Sequence, residues 1–340
     1  MEIKVLDDKN AQRWDAFVVS RPDATFFHKS GWREVIENAL GHPSHYLYAQ
    51  ENGEITGVLP LAHVNSALFG NALVSTPFCV YGGIVSADEA ARAALDSAAC
   101  GLARELNVDH LELRNILPSA AGRPVKDLYV TFRRELDSDP EKNLLAIPRK
   151  QRAVIRKGIA AGLTGVVDAT IDRFYHTYAE SVRNLGTPVF GKNLFRALRD
   201  VFGDACEILT VEHEGRAVAS VMSFYFRDEV LPYYGGGTAE ARELYANDFM
   251  YWEVMRRSVG RGVRVFDYGR SKIGTGSYRF KTHWGFEPQP LHYEYELVKS
   301  KQVPDINPLN PKYRLFIAAW KRLPMPLSKL IGPVLARNLG

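Results

Sequence analysis

Cysteine is scarce in this 340-residue sequence: Cys79, Cys100 and Cys206 are the only three. Widely spaced and odd in number, they make no disulfide framework, lack the C-x-x-C spacing of a zinc site, and read as buried small hydrophobes. Long apolar runs are missing as well. No stretch approaches the ~18 residues that span a bilayer. The first ten residues carry mixed charge without the apolar centre of a secretory signal, so a cytosolic protein is expected. Nucleotide-binding fingerprints are also lacking, with no Walker A and no well-placed G-x-G-x-x-G. Ser271, His283 and Asp267 are neighbours in sequence but lack nucleophile-elbow spacing, which argues against a hydrolase triad. His42 and His45 flank a proline and have no carboxylate beside them, so no metal is expected.

The rest is ordinary for a globular protein. Apolar residues make up 46% and charged residues 24%, enough for a sizeable core and too apolar for global disorder. The length suggests about two domains. The net charge of +4 is unevenly spread. From Lys299 onward come Lys301, Lys312, Arg314, Lys321, Arg322, Lys329 and Arg337, opposed only by Asp305, so this tail carries +7 and the preceding 298 residues sum to −3. A basic tail on a mildly acidic body implies an anionic partner for the tail.

Periodicity gives a mixed α and β order. Residues 31–40 place Trp32, Val35, Ile36, Ala39 and Leu40 on one helical face, with Ser30 at the cap position. Strands are predicted at 45–50 and 54–64 around Glu51-Asn52-Gly53, then a helix at 87–107 and strands at 108–115 and 128–136. The second half runs through a basic helix at 146–163, helices at 172–186 and 194–203, and a meander at 206–213, 217–227 and 229–234. Its joints are Glu214-Gly215 and Asp228-Glu229. A helix at 246–259, a strand at 263–268, a Gly-rich loop and a strand at 291–298 follow. The order helix, meander, helix, strand, strand thus occurs roughly twice, which predicts a duplicated unit: 1–145, 146–298, and a tail at 299–340. Pro304, Pro308, Pro311, Pro324, Pro326 and Pro333 keep that tail from forming one helix.

Chemistry concentrates between 233 and 294. Tyr233 and Tyr234 precede Gly235, Gly236 and Gly237 at a strand end. Such glycines either let backbone approach a ligand, with an anion at the next helix start, or simply make a tight turn. Further on, Phe280 and Lys281 form a pair in an aromatic and Gly-rich loop, where the lysine could stabilise a developing oxyanion or a phosphate. A second cluster holds five basic residues in nine, 149–157. Arg149, Arg152 and Arg156 share one helical face that could bind phosphates or stay solvated. In the tail, Phe316, Ile317 and Trp320 lie among cations, the composition of an interfacial anchor or of a segment that packs back on the body.

Tyr-Gly-Gly, a helix with Trp252 and Glu253, Phe266-Asp267-Tyr268-Gly269, then Phe280-Lys281 before Trp284-Gly285-Phe286 together resemble the C-terminal half of the FemAB/FemX family. In the first half, Ala24-Thr25-Phe26-Phe27-His28 before Trp32, Ser75-Thr76-Pro77-Phe78 and Tyr81-Gly82-Gly83 agree. The resemblance spans about 20–298. It is closest to the FemAB-like proteins associated with exosortase (PEP-CTERM) and exopolysaccharide systems, which share Gly269-Arg270-Ser271-Lys272 and the segment 288–293.

The resemblance implies an α+β fold, a mixed sheet with helices on both faces, built as two tandem GNAT-like subdomains plus the basic tail. It implies transfer of an acyl or aminoacyl group to an amine of a cell-envelope or glycan precursor. The donor is either aminoacyl-tRNA or acyl-CoA, and no cofactor is tightly bound. Lys281 takes the electrostatic role at the reacting carbonyl, Phe280 positions the donor, and Asp267 and Tyr278 follow as orienter and hydrogen-bond donor. Asp267 has an alternative use in satisfying backbone at the strand end. Substrate contacts fall to Tyr234, Gly235, Gly236, Gly237, Arg270, Lys272, Arg149, Arg152 and Arg156. The glycine run lacks the leading Arg or Gln with which CoA-dependent relatives cradle pyrophosphate. Peripheral membrane contact is expected through 300–340. A non-catalytic module that scaffolds an envelope complex is the reading from a different class.

Overall fold

The structure, a computed structural model, describes residues 1–66, 70–304 and 311–338, with backbone only for 311–314. Asp305, Pro308 and the side chains of Lys312 and Arg314 lie outside the described residues. The chain forms two compact units. One joins Met1–Tyr129 to Pro290–Asp305 and Arg337–Gly340, and the other joins Val130–Gln289 to Ile306–Ala336. The divisions drawn from sequence at 145/146 and 298/299 do not coincide with these, because each unit is assembled from separated stretches of chain.

In the first unit, Glu2–Val5, Leu47–Glu51, Glu54–Leu59 and Val85–Ser86 form an antiparallel sheet. Its hairpin turns at Asn52 and Gly53, with φ of 50° and 87°, as the turn signal predicts. Pro60, which has no N–H to give a ladder, divides the strand expected over 54–64. The chain resumes as Leu61–Ser66 in a second sheet with Gly70–Ser75, His110–Asn115 and His292–Leu297. Helix Glu89–Glu105 starts where the Asp88 side chain accepts the Ala91 N–H at 2.8 Å, and it packs Leu95, Ala99 and Ala103 against Leu47, Leu59 and Leu111. The helix expected over 31–40 is one α-turn followed by a π-turn, Val35–Leu40, and Ser30 makes no side-chain cap. Residues of the first-half motif meet here. The His28 ring bonds Thr25 Oγ1 at 3.0 Å and the Gly83 carbonyl at 3.0 Å, while Phe27 contacts Trp32 and Tyr81.

The second unit is built on a six-stranded sheet. Its strands are β1 (Arg133–Glu135), β2 (Thr164–Val167), β3 (Cys206–His213), β4 (Arg216–Phe226), β5 (Glu229–Gly237) and β6 (Val265–Asp267), in spatial order β2-β3-β4-β5-β6-β1. Only β5 and β6 are parallel. The helices of eight residues or more are α1 (Arg149–Ala160), α2 (Asp172–Leu185), α3 (Lys192–Phe202), α4 (Ala246–Val259), α5 (Gly276–His283), α6 (Pro311–Trp320) and α7 (Met325–Ala336). Alternation along the strands serves both faces. Leu209, Val211, Ala219 and Val221 share a core with Phe249, Met250 and Met255 of α4. Phe224 and Tyr234 meet Phe202 and Phe195 of α3 on the other side.

The basic helix expected over 146–163 is the shorter α1, which starts after Pro148 and ends at Ala160, and a separate short helix, Pro140–Ala146, precedes it. The stretch expected to be a Gly-rich loop contains α5, which starts at Thr275, whose Oγ1 accepts the Tyr278 N–H. All three cysteines are free and buried. The tail is two helices, with Pro311 opening α6, Pro324 between them and Pro333 inside α7.

The three glycines end β5, and packing accounts for two of them. A Cβ on Gly236 would sit 2.5 Å from Ser181 Cβ of α2, and one on Gly237 would sit 2.5 Å from Ala241 Cβ. Gly236→Ala is therefore expected to destabilise the protein by about 1–3 kcal/mol through overpacking. Urea denaturation measures this, and Ser181→Gly in the same chain should recover part of the loss.

Candidate functional site

Strands β5 and β6 pair only at Glu229 with Val265 and Val230 with Phe266. Beyond this, β5 runs on to Gly237 while β6 ends at Asp267, and the chain turns at Gly269 with φ +66°. Asp267 has no exposed surface. Its Oδ1 accepts the Gly269 N–H at 2.6 Å and the Thr131 hydroxyl at 3.3 Å, and its Oδ2 lies 3.5 Å from Arg133 Nε. Arg133 also pairs with Glu229. Burial, and then the charge of the adjoining Asp267, pushes the Glu229 carboxyl well above the usual carboxylate range.

From α5, Lys281 reaches back to this turn. Its Nζ donates to the Gly269 carbonyl at 2.9 Å and the Arg270 carbonyl at 3.0 Å, and lies 5.5 Å from the centre of the Phe132 ring. Desolvation brings its pKa down to about 7, against an opposing pull from Asp267. Two carbonyls engage two N–H groups and leave one position on the nitrogen, a lone pair when neutral and a third N–H when charged. Gly269 is thereby held at both of its backbone groups, by Asp267 at its N–H and by Lys281 at its carbonyl.

Around this pair the other predicted residues separate into groups. Tyr278 is half-buried and edge-on to Phe132. Phe280 packs among Tyr251, Tyr268 and Trp284, inside the aromatic wall. Arg270 and Lys272 are half-buried in the segment between Gly269 and α5, Arg270 giving its carbonyl to Lys281. Tyr234 is buried on the α3 face, and Gly235 lies at the sheet, its absent Cβ 3.4 Å from the Tyr251 hydroxyl. Arg149 and Arg156 are exposed on α1, whereas Arg152 is half-buried and donates to the Leu145 carbonyl at 3.0 Å. Among the described residues no carboxylate pairs with these three arginines.

Sequence reasoning missed Thr131, Phe132, Arg133, Glu229 and Asp248. Asp248 of α4 accepts from Trp284 Nε1 at 2.9 Å and from Gln151, joining α1, α4 and the end of α5. Burial raises its carboxyl above the ordinary range. Nothing in spacing links residue 132 to residue 281. The one available signal was a fragment, Phe132-Arg133-Arg134, inside a predicted strand. The Tyr268 hydroxyl and Ser271 Oγ, on the residues that flank Gly269 and Arg270 in sequence, are buried without a hydrogen-bond partner.

Where β5 ends, an open cavity of about 710 Å³ lies against α2, lined by Asp172, Arg173, His176, Glu180, Arg216, Ala217, Thr238, Ala239 and Glu240. Its charges are partly spent internally: Arg216 pairs with Glu240 at 3.3 Å and Glu180 accepts the Ala239 N–H at 2.9 Å. None of the predicted catalytic residues lines it.

Helices on both faces of a mixed sheet, with a strand pair that parts after two residues, give the fold of GNAT acyltransferases. The acetyltransferase (GNAT) domain family matches residues 149–282, most of the second unit. The whole chain resembles FemX, with 14% identity, 93% of this chain and 100% of that chain covered, and a TM-score of 0.64. A tandem GNAT protein from the clavulanic acid biosynthesis pathway covers 88% of this chain and 99% of its own at 15% identity and TM-score 0.58. The C-terminal DUF2156 domain assigned to a lysylphosphatidylglycerol synthetase of Agrobacterium fabrum covers 84% and 91% at 14% identity and TM-score 0.58. The fold is therefore the tandem GNAT-like one expected. No curated protein matches the sequence.

The depressed Lys281 value has a thermodynamic sign. The unfolded lysine holds a proton up to its ordinary value of 10.5, the folded one only to about 7, so the unfolded state binds more protons between these values and stability rises with pH across that window. Lys281→Met should abolish this rise. Urea denaturation from pH 7 to pH 10 should show the wild type gaining on the order of a few kcal/mol relative to the variant.

Proposed function

We propose that this chain is a FemAB-like N-acyltransferase that forms an amide on an amine-bearing precursor of the cell envelope or an exopolysaccharide. The observation that carries the reading is Lys281, buried at the end of β6 within the segment the GNAT domain family matches. The acceptor amine attacks the donor carbonyl, a C–N bond forms, and the carbonyl oxygen takes negative charge. The C–O bond of an ester, or the C–S bond of a thioester, then breaks. Lys281 in its charged form stabilises that oxygen and can hand a proton to the leaving group. The proton lost by the amine restores the balance. With a value of about 7, Lys281 exchanges this proton near neutrality, which is what a group serving both steps needs. Asp267 acts through the Gly269 peptide, fixing the carbonyl that positions Lys281. Phe280 and Tyr278 shape the apolar wall at the donor.

Aminoacyl-tRNA is the donor the basic face of α1 favours, since Arg149 and Arg156 are exposed without acidic partners, with Lys150 and Lys157 on the same helix. Acyl-CoA is the second donor, favoured by the match of 149–282 to an acetyltransferase family. Binding of non-hydrolysable aminoacyl-tRNA and of acetyl-CoA at two salt concentrations separates them. Salt-sensitive tRNA binding that falls in Arg149→Ala, Arg156→Ala is expected, and saturable CoA binding without tRNA binding would install the second donor. With the donor in hand, Lys281→Ala should lower turnover by about 10²–10³ while the far-UV circular dichroism is unchanged. Transfer unimpaired in Lys281→Ala would remove Lys281 from the mechanism, and binding of neither donor would leave the scaffold reading standing instead.

A further inference from the structure

Helix α7 is built the wrong way round for water. Ser328, Gly332 and Ala336 are buried, and a Cβ on Gly332 would meet the Val189 backbone at 2.8 Å, so small residues seat the helix closely against the unit. Its large aliphatic side chains face out at i, i+3, i+4 and i+7: Leu327, Leu330, Ile331 and Val334, with Leu330 71% and Val334 57% exposed. Helix α6 adds Leu315, 84% exposed. For Phe316, Ile317 and Trp320 of α6, an interfacial anchor and packing on the body are both expected. Trp320 is buried and stacked on Phe316, and Ile317 packs over Gly186, so two of the three residues serve packing. The charged residues that flank the stripe along the chain have one sign. Lys321 and Arg322 are exposed before α7 and Arg337 follows it directly, and no acidic residue occurs from 306 to 340.

We propose that the outward face of α7, with the cations that flank it, docks on an anionic lipid surface. Twelve residues at 1.5 Å rise make a helix of about 18 Å, too short to cross the ~30 Å hydrocarbon layer, so α7 lies in the plane of the interface with its aliphatic side chains among the acyl chains. Flanking cations then meet the headgroups. The stripe is purely aliphatic, without the aromatic residues or methionines that mark protein interfaces, and this favours lipid over a second copy of the chain. The proposal is independent of the acyl-transfer reading.

Flotation of the full chain with vesicles tests it. The wild type is expected to float with vesicles containing phosphatidylglycerol and to bind far less to phosphatidylcholine alone. Leu330→Glu with Ile331→Glu should weaken binding by about tenfold or more, and Lys321→Ala with Arg322→Ala should flatten the salt dependence. As a second readout, Leu330→Cys carrying a polarity-sensitive fluorophore, selective because the native cysteines are buried, should shift to the blue on anionic vesicles. Unchanged flotation of the glutamate variant, or no shift of the probe, overturns the proposal. So does a lipid-free dimer that the glutamate variant converts to monomer, because the stripe would then be a protein interface.

Discussion

A carboxylate taken wholly out of water must be met by donors, or the fold bears its desolvation. At Asp267 the requirement is met from three directions: Thr131 and Arg133 upstream, and the Gly269 N–H two residues on. These bonds set the direction in which β6 ends and fix the left-handed turn at Gly269. Once that turn is set, two carbonyls point where a lysine from α5 can reach them. The lysine is then held in a place where its charge is costly, which is the origin of its lowered pKa. Geometry, protonation and the candidate chemistry of the second unit all follow from how one buried charge is satisfied.

What the sequence displays well is what is local. The meander, the helix 246–259 and the turn at Asn52 and Gly53 came from period and turn chemistry and stand within a few residues of the observed elements. Helix α5 was hidden because Gly274 and Gly276 look like loop residues, although Thr275 has the side chain of a cap. The glycines of β5 were open to two readings, and only the approach of Ser181 and Ala241 shows the packing they permit. Lys281 and Asp267 could be singled out by resemblance, but their surroundings could not: Thr131, Phe132 and Arg133 lie about 135–150 residues upstream, and the pairing of Arg133 with Asp267 that brings them there is encoded by no periodicity.

The tail shows the reverse case. Its composition correctly suggested apolar residues among cations, but the direction each side chain takes depends on what the helices lie against. Trp320 turned inward and Leu330 outward for the same reason: Gly186 and Gly332 let the helices approach closely, and each approach decides which face is left over.

The division of the chain also governs how the protein can be made. The second sheet of the first unit is completed by His292–Leu297, which the ribosome delivers only after the whole of Val130–Gln289. At about 5–20 residues per second, a nascent first unit waits roughly ten to thirty seconds with the edge of His110–Asn115 unpaired. During that wait an exposed strand edge invites foreign pairing, and the second unit has most of its own chain in hand before the first can finish. Expression of residues 1–129 alone would therefore yield an open-edged fragment, and early chain termination is a more damaging error here than in a protein whose domains are laid end to end.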